Sequence, residues 1–211
     1  FCNTELSSFY LDVQKDVMYC DATAAKRRRS GQTAMYLVAH RLVRLLAPTL
    51  AFTADEIWSY IPGAMAEAES VHLADWPTVE PSWVDEDLLA RWDTLLAVRS
   101  AALGKLEGLR TSGTIQSNME AAVTLRPTSE ALAALLAKVG ENDLARLLIV
   151  SRVTVANDIG GQAEGELALR VDVTKSEYAK CQRCWNLRPS VGADAKFPDL
   201  CDRCAAVMAT K

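Results

Sequence analysis

The feature that most constrains this chain is a pair of Cys-x-x-Cys motifs near its C-terminus. Cys181 and Cys184 form the first motif, Cys201 and Cys204 form the second, and sixteen residues lie between them. Two residues between cysteines let a tight turn point both sulfurs at one centre, and two such turns supply the four thiolates of a closed tetrahedral zinc site. We therefore predict one structural Zn²⁺, because four protein ligands leave no open position for water. An iron–sulfur site or a redox pair is the alternative for this spacing.

The segment that carries these motifs, residues 175–211, is too short to build a core alone, so metal binding should contribute to its folding free energy. Trp185 directly follows the second ligand, and Arg183 and Arg188 lie on either side of it. Guanidinium and indole groups on a rigid turn suit phosphate contact and base stacking on single-stranded or looped RNA. In the alternative interpretation, Trp185 caps the small metal core and the arginines are solvated.

Basic and acidic residues are unevenly distributed, although the formal net charge is only −4. Residues 54–93 carry ten acidic residues and one basic residue, whereas residues 1–53 carry seven basic and four acidic residues. We predict that the acidic block faces away from RNA or towards another domain. The basic run Lys26-Arg27-Arg28-Arg29 is predicted to be a loop between two helices that contacts RNA phosphates. An exposed polar linker is the alternative.

Hydrophobic spacing predicts that the first half of the chain is helical. Apolar residues recur at steps of three and four over 4–20, 32–46 and 85–109. Pro48 marks the end of the second helix, and a capping box at Thr53 and Glu56 predicts a further short helix that starts there. Residues 62–82 are predicted to be a connecting segment, with an extended stretch over 71–77.

After residue 114 the pattern changes to a small mixed region. Strands are predicted over 121–125, 147–150, 153–155 and 167–173, with a helix over 129–139 and a Gly-rich turn before the last strand. The fold class is therefore a mainly α helical bundle, followed by a small α+β domain that ends in the zinc finger. The predicted domains are the bundle over 1–112, a mixed α/β junction domain over 113–174 and the zinc finger over 175–211.

The composition also indicates a compartment. The sequence contains no run of about 18 apolar residues, which a membrane span would require. Its N-terminus also lacks the basic start and the apolar stretch of a signal peptide. We expect a cytoplasmic protein, whose cysteines are thiols or metal ligands. Cys2 and Cys20 are predicted to be small buried hydrophobes, and His40 and His72 to be structural. Because the first residue is not Met, we expect a piece of a longer protein.

Several stretches resemble the anticodon-binding bundle of class I aminoacyl-tRNA synthetases for branched aliphatic amino acids. They are residues 1–12, 15–16, 28–33, 45–48, 52–58 and 71–77. Cys181-Gln182-Arg183-Cys184-Trp185 and Leu200-Cys201-Asp202-Arg203-Cys204 resemble the C-terminal zinc finger of bacterial-type isoleucyl-tRNA synthetases. Residues 115–121 resemble that family's Ile-Gly-Ser-Ser-Leu-Glu-Ala stretch, with Gln116 in place of the glycine.

This resemblance implies that the chain is the C-terminal tRNA-recognition part of a ligase that joins isoleucine to its tRNA with ATP. The catalytic and editing domains would lie upstream, since neither the His-Ile-Gly-His-like nor the Lys-Met-Ser-Lys-Ser-like motif occurs here. No catalytic residue is expected within this chain, and ATP would bind only to the full-length enzyme. The implied partners are the isoleucine acceptor tRNA and the upstream catalytic domain, without DNA or membrane.

The resemblance also assigns roles to the basic and aromatic residues. Arg183, Trp185 and Arg188 would contact the anticodon arm, and residues 26–29 would contact phosphates. A free-standing zinc-stabilised RNA-binding or protein-interaction module remains the alternative. The zinc-ligand spacing also resembles that of formamidopyrimidine-type DNA glycosylases, but those enzymes need an N-terminal proline nucleophile, and Phe1-Cys2 supplies none.

Overall fold

The computed structural model describes residues 1–156 and 167–210, so the predicted Gly-rich turn lies outside the described residues. The chain divides into two compact units. Unit 1 comprises Phe1–Cys20 and Glu86–Lys211, and unit 2 comprises Asp21–Asp85. The division into three domains at residues 112 and 174 remains a prediction.

Helices dominate the described residues, as the spacing predicts. A wide helix with i→i+5 hydrogen bonds over Cys2–Leu11 opens the chain and continues directly into the first α-helix. The α-helices are α1 (Asp12–Cys20), α2 (Lys26–Leu46), α3 (Ala51–Tyr60), α4 (Ala64–Glu67), α5 (Glu86–Thr111), α6 (Glu130–Val139), α7 (Glu141–Leu148) and α8 (Asp202–Ala209). None of the helices in the described part of the chain is long and apolar enough to cross a membrane.

A three-stranded sheet lies in unit 1, with the strand order β2-β1-β3. The strands are β1 (Ala121–Pro127), β2 (Arg152–Val155) and β3 (Leu169–Lys175). Strand β1 pairs parallel with β2 and antiparallel with β3, so Val123 is opposite Val153 on one side and Val173 on the other. The predicted strand over 147–150 is wrong, because Leu147 and Leu148 complete the buried face of α7.

The core of unit 1 lies between this sheet and three helices. Helix α5 contributes one row of buried side chains. Helices α6 and α7, which connect β1 to β2, each contribute an apolar face. The largest buried members of this core are Val98, Leu106, Ile115, Val123, Leu125, Leu136, Leu144, Leu148 and Val153. The guanidinium of Arg99 on α5 donates a hydrogen bond to the carbonyl of Leu147 at the end of α7.

Unit 2 is built around Trp58, which is fully buried and donates its indole N–H to the carbonyl of Ala68 at 2.9 Å. The predicted capping box is wrong: α3 begins at Ala51 without a side-chain cap, so Thr53 lies inside the helix. Asp55, which lies in the same helix, accepts hydrogen bonds from Ser70 Oγ at 2.6 Å and from Val71 N at 3.2 Å. The hydroxyl of Ser70 is the main reason that the pKa of Asp55 lies below its ordinary value.

Two further predictions for unit 2 need correction. The basic run over 26–29 is not a loop but the first turn of α2, because lysine and arginine are good helix formers and Gly31 lies buried within the helix without interrupting it. The predicted connection over 62–82 contains α4 and two short 3₁₀ turns, Val71–Leu73 and Pro81–Trp83. Helix α2 ends at Leu46, just before Pro48, as predicted.

Candidate metal centre and nucleic-acid interface

The four cysteines of the two motifs come together in one buried cluster. Their sulfur atoms all lie within 4.8 Å of one another, and Cys184 Sγ is 3.8 Å from Cys201 Sγ. A tetrahedral zinc ion with Zn–S bonds of about 2.3 Å requires sulfurs about 3.8 Å apart. The donor set and the spacing therefore fit one closed zinc tetrathiolate, which is a structural site.

Local backbone bonds shape the two halves of this site. In the first knuckle, Cys181 N donates to Asn186 O and Trp185 N donates to Cys181 O, each at 2.9 Å. In the second, Cys201 precedes the first turn of α8, and its N–H points at Cys181 Sγ at 3.3 Å. Leu200, Ala205, Val191, Phe197 and Met208 cover the sulfurs with apolar side chains.

The sulfurs also perturb one another's ionisation. Hydrogen bonds with Cys201 and Cys204 lower the pKa of Cys184, and the same contacts raise the pKa of those two partners. Metal binding replaces such shared protons, because zinc takes thiolates as ligands.

A fifth cysteine lies beside the metal cluster. Cys20, the last residue of α1, is buried among the four ligands' side chains, and its Sγ is 3.8 Å from the carbonyl of Arg183. Its predicted burial is confirmed, although its neighbours are the metal ligands. Cys2 is exposed, so the same prediction for Cys2 is wrong.

Arg183 and Arg203 occupy equivalent positions, each just before the second cysteine of its motif. Arg183 donates to the carbonyls of Cys20 at 2.6 Å and Tyr19 at 3.1 Å. Arg203 forms a bidentate ion pair with Asp16, in which both N–O distances are 2.6 Å. Hydrogen bonding to Asp16 raises the pKa of Arg203.

Trp185 and Arg188 lie at a cavity of about 410 Å³ in unit 1. Side chains from α1, α7 and the first zinc knuckle line it. Trp185 is 61% exposed and has a left-handed backbone with φ 64°, while Lys180 Nζ lies 5.3 Å from its ring centroid. The Nε of Arg188 is buried without a hydrogen-bond partner among the described residues.

The remaining predicted RNA contacts lie in unit 2. Lys26, Arg27 and Arg29 are exposed on the first turn of α2, and Arg28 is half-buried and donates to Asp21 O at 3.0 Å. That first turn contains no acidic residue.

Both histidines have structural surroundings within unit 2. His40 stacks between Tyr36 and Trp58, with ring centroids 5.5 and 5.3 Å away. Its Nδ1 lies 3.0 Å from Arg44 Nη2, and because arginine only donates, Nδ1 must accept. The Nε2 of His72 lies 3.2 Å from the carbonyl of Ala51.

Sequence reasoning missed three residues of this region: Asp16, Cys20 as a neighbour of the metal, and Ser151. Ser151 accepts a hydrogen bond from Leu187 N at 2.6 Å and donates one to the carbonyl of Met119, which joins the first knuckle to the sheet region. Only Asp16 carried a signal, as a charged residue on a helix whose other face is apolar.

Comparison with known proteins identifies two families. The family described as the anticodon-binding domain of tRNA ligase matches residues 1–125, and the zinc finger found in FPG and IleRS matches residues 180–207.

Curated relatives match along nearly the whole chain. Isoleucine–tRNA ligase of Geobacter sulfurreducens is 42% identical over 211 residues, which cover 99% of this chain and 22% of that protein. Isoleucine–tRNA ligase of Syntrophotalea carbinolica is 43% identical over 210 residues, with the same two coverages. The chain therefore spans about a fifth of the length of these relatives.

Proposed function

Since the chain belongs to the family of anticodon-binding domains of tRNA ligases, we propose that it is the tRNA-recognition part of an isoleucine–tRNA ligase. In this proposal it binds the anticodon arm of the isoleucine acceptor tRNA. The rest of the parent protein would supply the catalytic domain, which binds ATP and joins isoleucine to the tRNA in the cytoplasm. The relatives' names and their greater length support this division of labour.

The RNA-binding part of the proposal rests mainly on Trp185, whose side chain is exposed and whose backbone is left-handed. A bulky residue in the left-handed region costs about 1–2 kcal/mol relative to ordinary backbone, and glycine would avoid that cost. Strain of this kind persists mainly where the side chain has a use. Here it presents an exposed indole beside a cavity that Arg188 also lines. An aromatic face next to a guanidinium suits an unstacked RNA base and its phosphate.

The other predicted RNA contacts are the first turn of α2 and Arg183, and we expect them to contribute unequally to RNA affinity. The first turn of α2 combines exposed cations with the positive end of a helix, which favours phosphate binding. Arg183 also remains a predicted RNA contact, but its Nη atoms already donate to two backbone carbonyls. We therefore expect Trp185 and Arg188 to contribute more to RNA affinity than Arg183.

Filter binding with transcribed tRNAs tests the proposal. The zinc-loaded chain should bind the isoleucine acceptor tightly enough to measure, prefer it to a leucine acceptor, and lose affinity as salt rises. Trp185→Ala should weaken binding about tenfold, as removal of one stacked base predicts, with one zinc per chain retained. Lys138→Gln, an exposed cation on α6, is the matched control and should leave affinity unchanged.

A second measurement separates phosphate binding from base stacking. Changing Lys26, Arg27 and Arg29 together to glutamine should reduce the slope of log affinity against log salt by about one unit for each phosphate that is no longer neutralised. Salt-independent or absent tRNA binding would contradict the proposal and favour a protein-interaction module. A footprint across residues 54–93 would contradict the prediction that the acidic block faces away from RNA.

A further inference from the structure

Each zinc knuckle carries an arginine at the same position, and both arginines contact one turn of helix α1. The two motifs read Cys181-Gln182-Arg183-Cys184 and Cys201-Asp202-Arg203-Cys204. Because the metal holds the four cysteines at one centre, it also fixes the backbone from which both arginines extend. Their targets, Asp16, Tyr19 and Cys20, lie within five consecutive residues at the end of α1.

We propose that Arg183 and Arg203 form an arginine clamp through which the zinc module holds the C-terminal turn of α1, so that the order of this turn depends on zinc loading. Both are positioning residues in this proposal. It concerns the zinc module itself and holds whether or not the chain binds tRNA.

Arg183 acts on the backbone of the helix end. The last four carbonyls of an α-helix have no partner within the helix, and a cation is favourable at this negative end. Arg183 donates to two of them, Cys20 O at 2.6 Å and Tyr19 O at 3.1 Å. In unit 1 the clamp therefore supplies the C-terminal cap of α1 from a point more than 160 residues further along the chain.

Arg203 acts on a side chain one turn earlier. Its guanidinium and the Asp16 carboxylate are each about 20% exposed and pair through two N–O contacts of 2.6 Å. This geometry is the strong, bidentate form of an arginine–carboxylate pair. Arg146 of α7 adds a third contact, with Nε 3.7 Å from Asp16 Oδ2.

The metal ligands connect directly to the clamp. Arg183 Nη1 lies 3.5 Å from Cys204 Sγ, so the same guanidinium contacts a zinc ligand and the helix end. Hydrogen bonds to metal ligands orient them and tune metal binding. A zinc tetrathiolate carries two net negative charges, which favour the nearby guanidinium groups of Arg183 and Arg203, whereas Arg146 also pairs with Asp143 at 2.7 Å.

Hydrogen exchange of the 211-residue chain, followed by mass spectrometry on peptides from α1, tests this coupling. Stripping zinc with a chelator should speed exchange at the C-terminal turn of α1. In the zinc-loaded chain, Arg183→Met should speed it about fivefold, as removal of a charged helix cap predicts. Arg203→Met should act in the same direction, and Arg183→Lys should partly restore protection because it keeps the charge. Lys196→Met, a cation between the two motifs whose Nζ lies over Phe197, is the control and should have no effect.

Two further measurements keep the test decisive if an arginine variant misfolds. Asp16→Asn removes the helix side of the Arg203 pair without touching the zinc module, and should speed exchange as Arg203→Met does. In the double variant Arg183→Met/Arg203→Met, zinc removal should change exchange in α1 much less than it does in the wild-type chain. Zinc should also leave the Arg183→Met chain faster than the wild-type chain when a chromophoric chelator is added. Unchanged α1 exchange after zinc removal, or wild-type protection in both single arginine variants, would overturn the clamp.

Discussion

Ser151 and Leu187 lie 36 residues apart in the chain and are joined by a hydrogen bond of 2.6 Å from the Leu187 backbone N–H to the Ser151 hydroxyl. The same hydroxyl donates to the carbonyl of Met119, and Ser151 is 4% exposed. The buried side chain of Ser151 thus connects Leu187, next to the first zinc knuckle, to Met119, which lies just before β1.

Ser151→Ala should lower the free energy of unfolding of unit 1 by about 1 kcal/mol or more, because it leaves the half-buried Leu187 N–H and Met119 carbonyl without this partner. Urea denaturation of the zinc-loaded chain measures this change. Ser59→Ala is the control, since the Ser59 hydroxyl is exposed and donates to Glu56 O within the same helix, α3. An unfolding midpoint equal to that of the wild type would contradict the role given to Ser151.

Trp185→Gly should separate stability from RNA binding. Glycine relieves the left-handed strain at φ 64°, so this variant should be more stable than Trp185→Ala by about 1 kcal/mol. Both variants should lose tRNA affinity to a similar extent, because both lack the indole. Thermal unfolding with one zinc per chain and parallel filter binding are the measurements. If Trp185 only capped the metal core, affinity for tRNA would stay at the wild-type value in both.

Trp58→Ala should unfold unit 2 selectively. Removing a fully buried tryptophan typically costs about 3–5 kcal/mol, and here it also leaves the carbonyl of Ala68 unpaired. Hydrogen exchange should show reduced protection over residues 21–85, while the sheet of unit 1 keeps its protection. Trp76→Ala, at a position 62% exposed in the same unit, should change stability by less than about 0.5 kcal/mol.

Asp55 should contribute stability that acid removes. Its pKa is lowered in the folded chain, first by the Ser70 hydroxyl, so the contribution is full above the ordinary aspartate pKa of about 3.9 and is lost as pH falls through the folded value. Asp55→Asn should therefore destabilise the chain more at pH 7 than at pH 3, which lies below the ordinary aspartate pKa of about 3.9. Urea midpoints at the two pH values measure this, with Glu69→Gln as an exposed control in the same unit. A deficit of equal size at both pH values would contradict the ionic origin of the effect.

Most of the secondary structure followed from local patterns, and the exceptions have local causes. The long helix α5 and the helix between Ser129 and Gly140 appear where their apolar spacing and end signals predict them. The loop predicted over 26–29 is wrong because charge alone does not distinguish a loop from an exposed helix turn. The strand predicted over 147–150 is wrong because four apolar residues in a row fit a buried strand and a buried helix end equally well.

The sequence by itself determined the zinc site, because all four ligands and the turns that aim them lie within 24 consecutive residues whose chemistry is local. It also determined the family, through motifs read in chain order. Only the tertiary structure decided what surrounds the metal. Asp16 and Cys20 meet the two arginines across more than 160 residues, and no spacing rule connects positions that are brought together by the packing of helices on a sheet. The contacts of Arg183 lay beyond the sequence for the same reason: its charge is visible there, but the carbonyls that its guanidinium contacts are not, and its RNA contact stays a prediction.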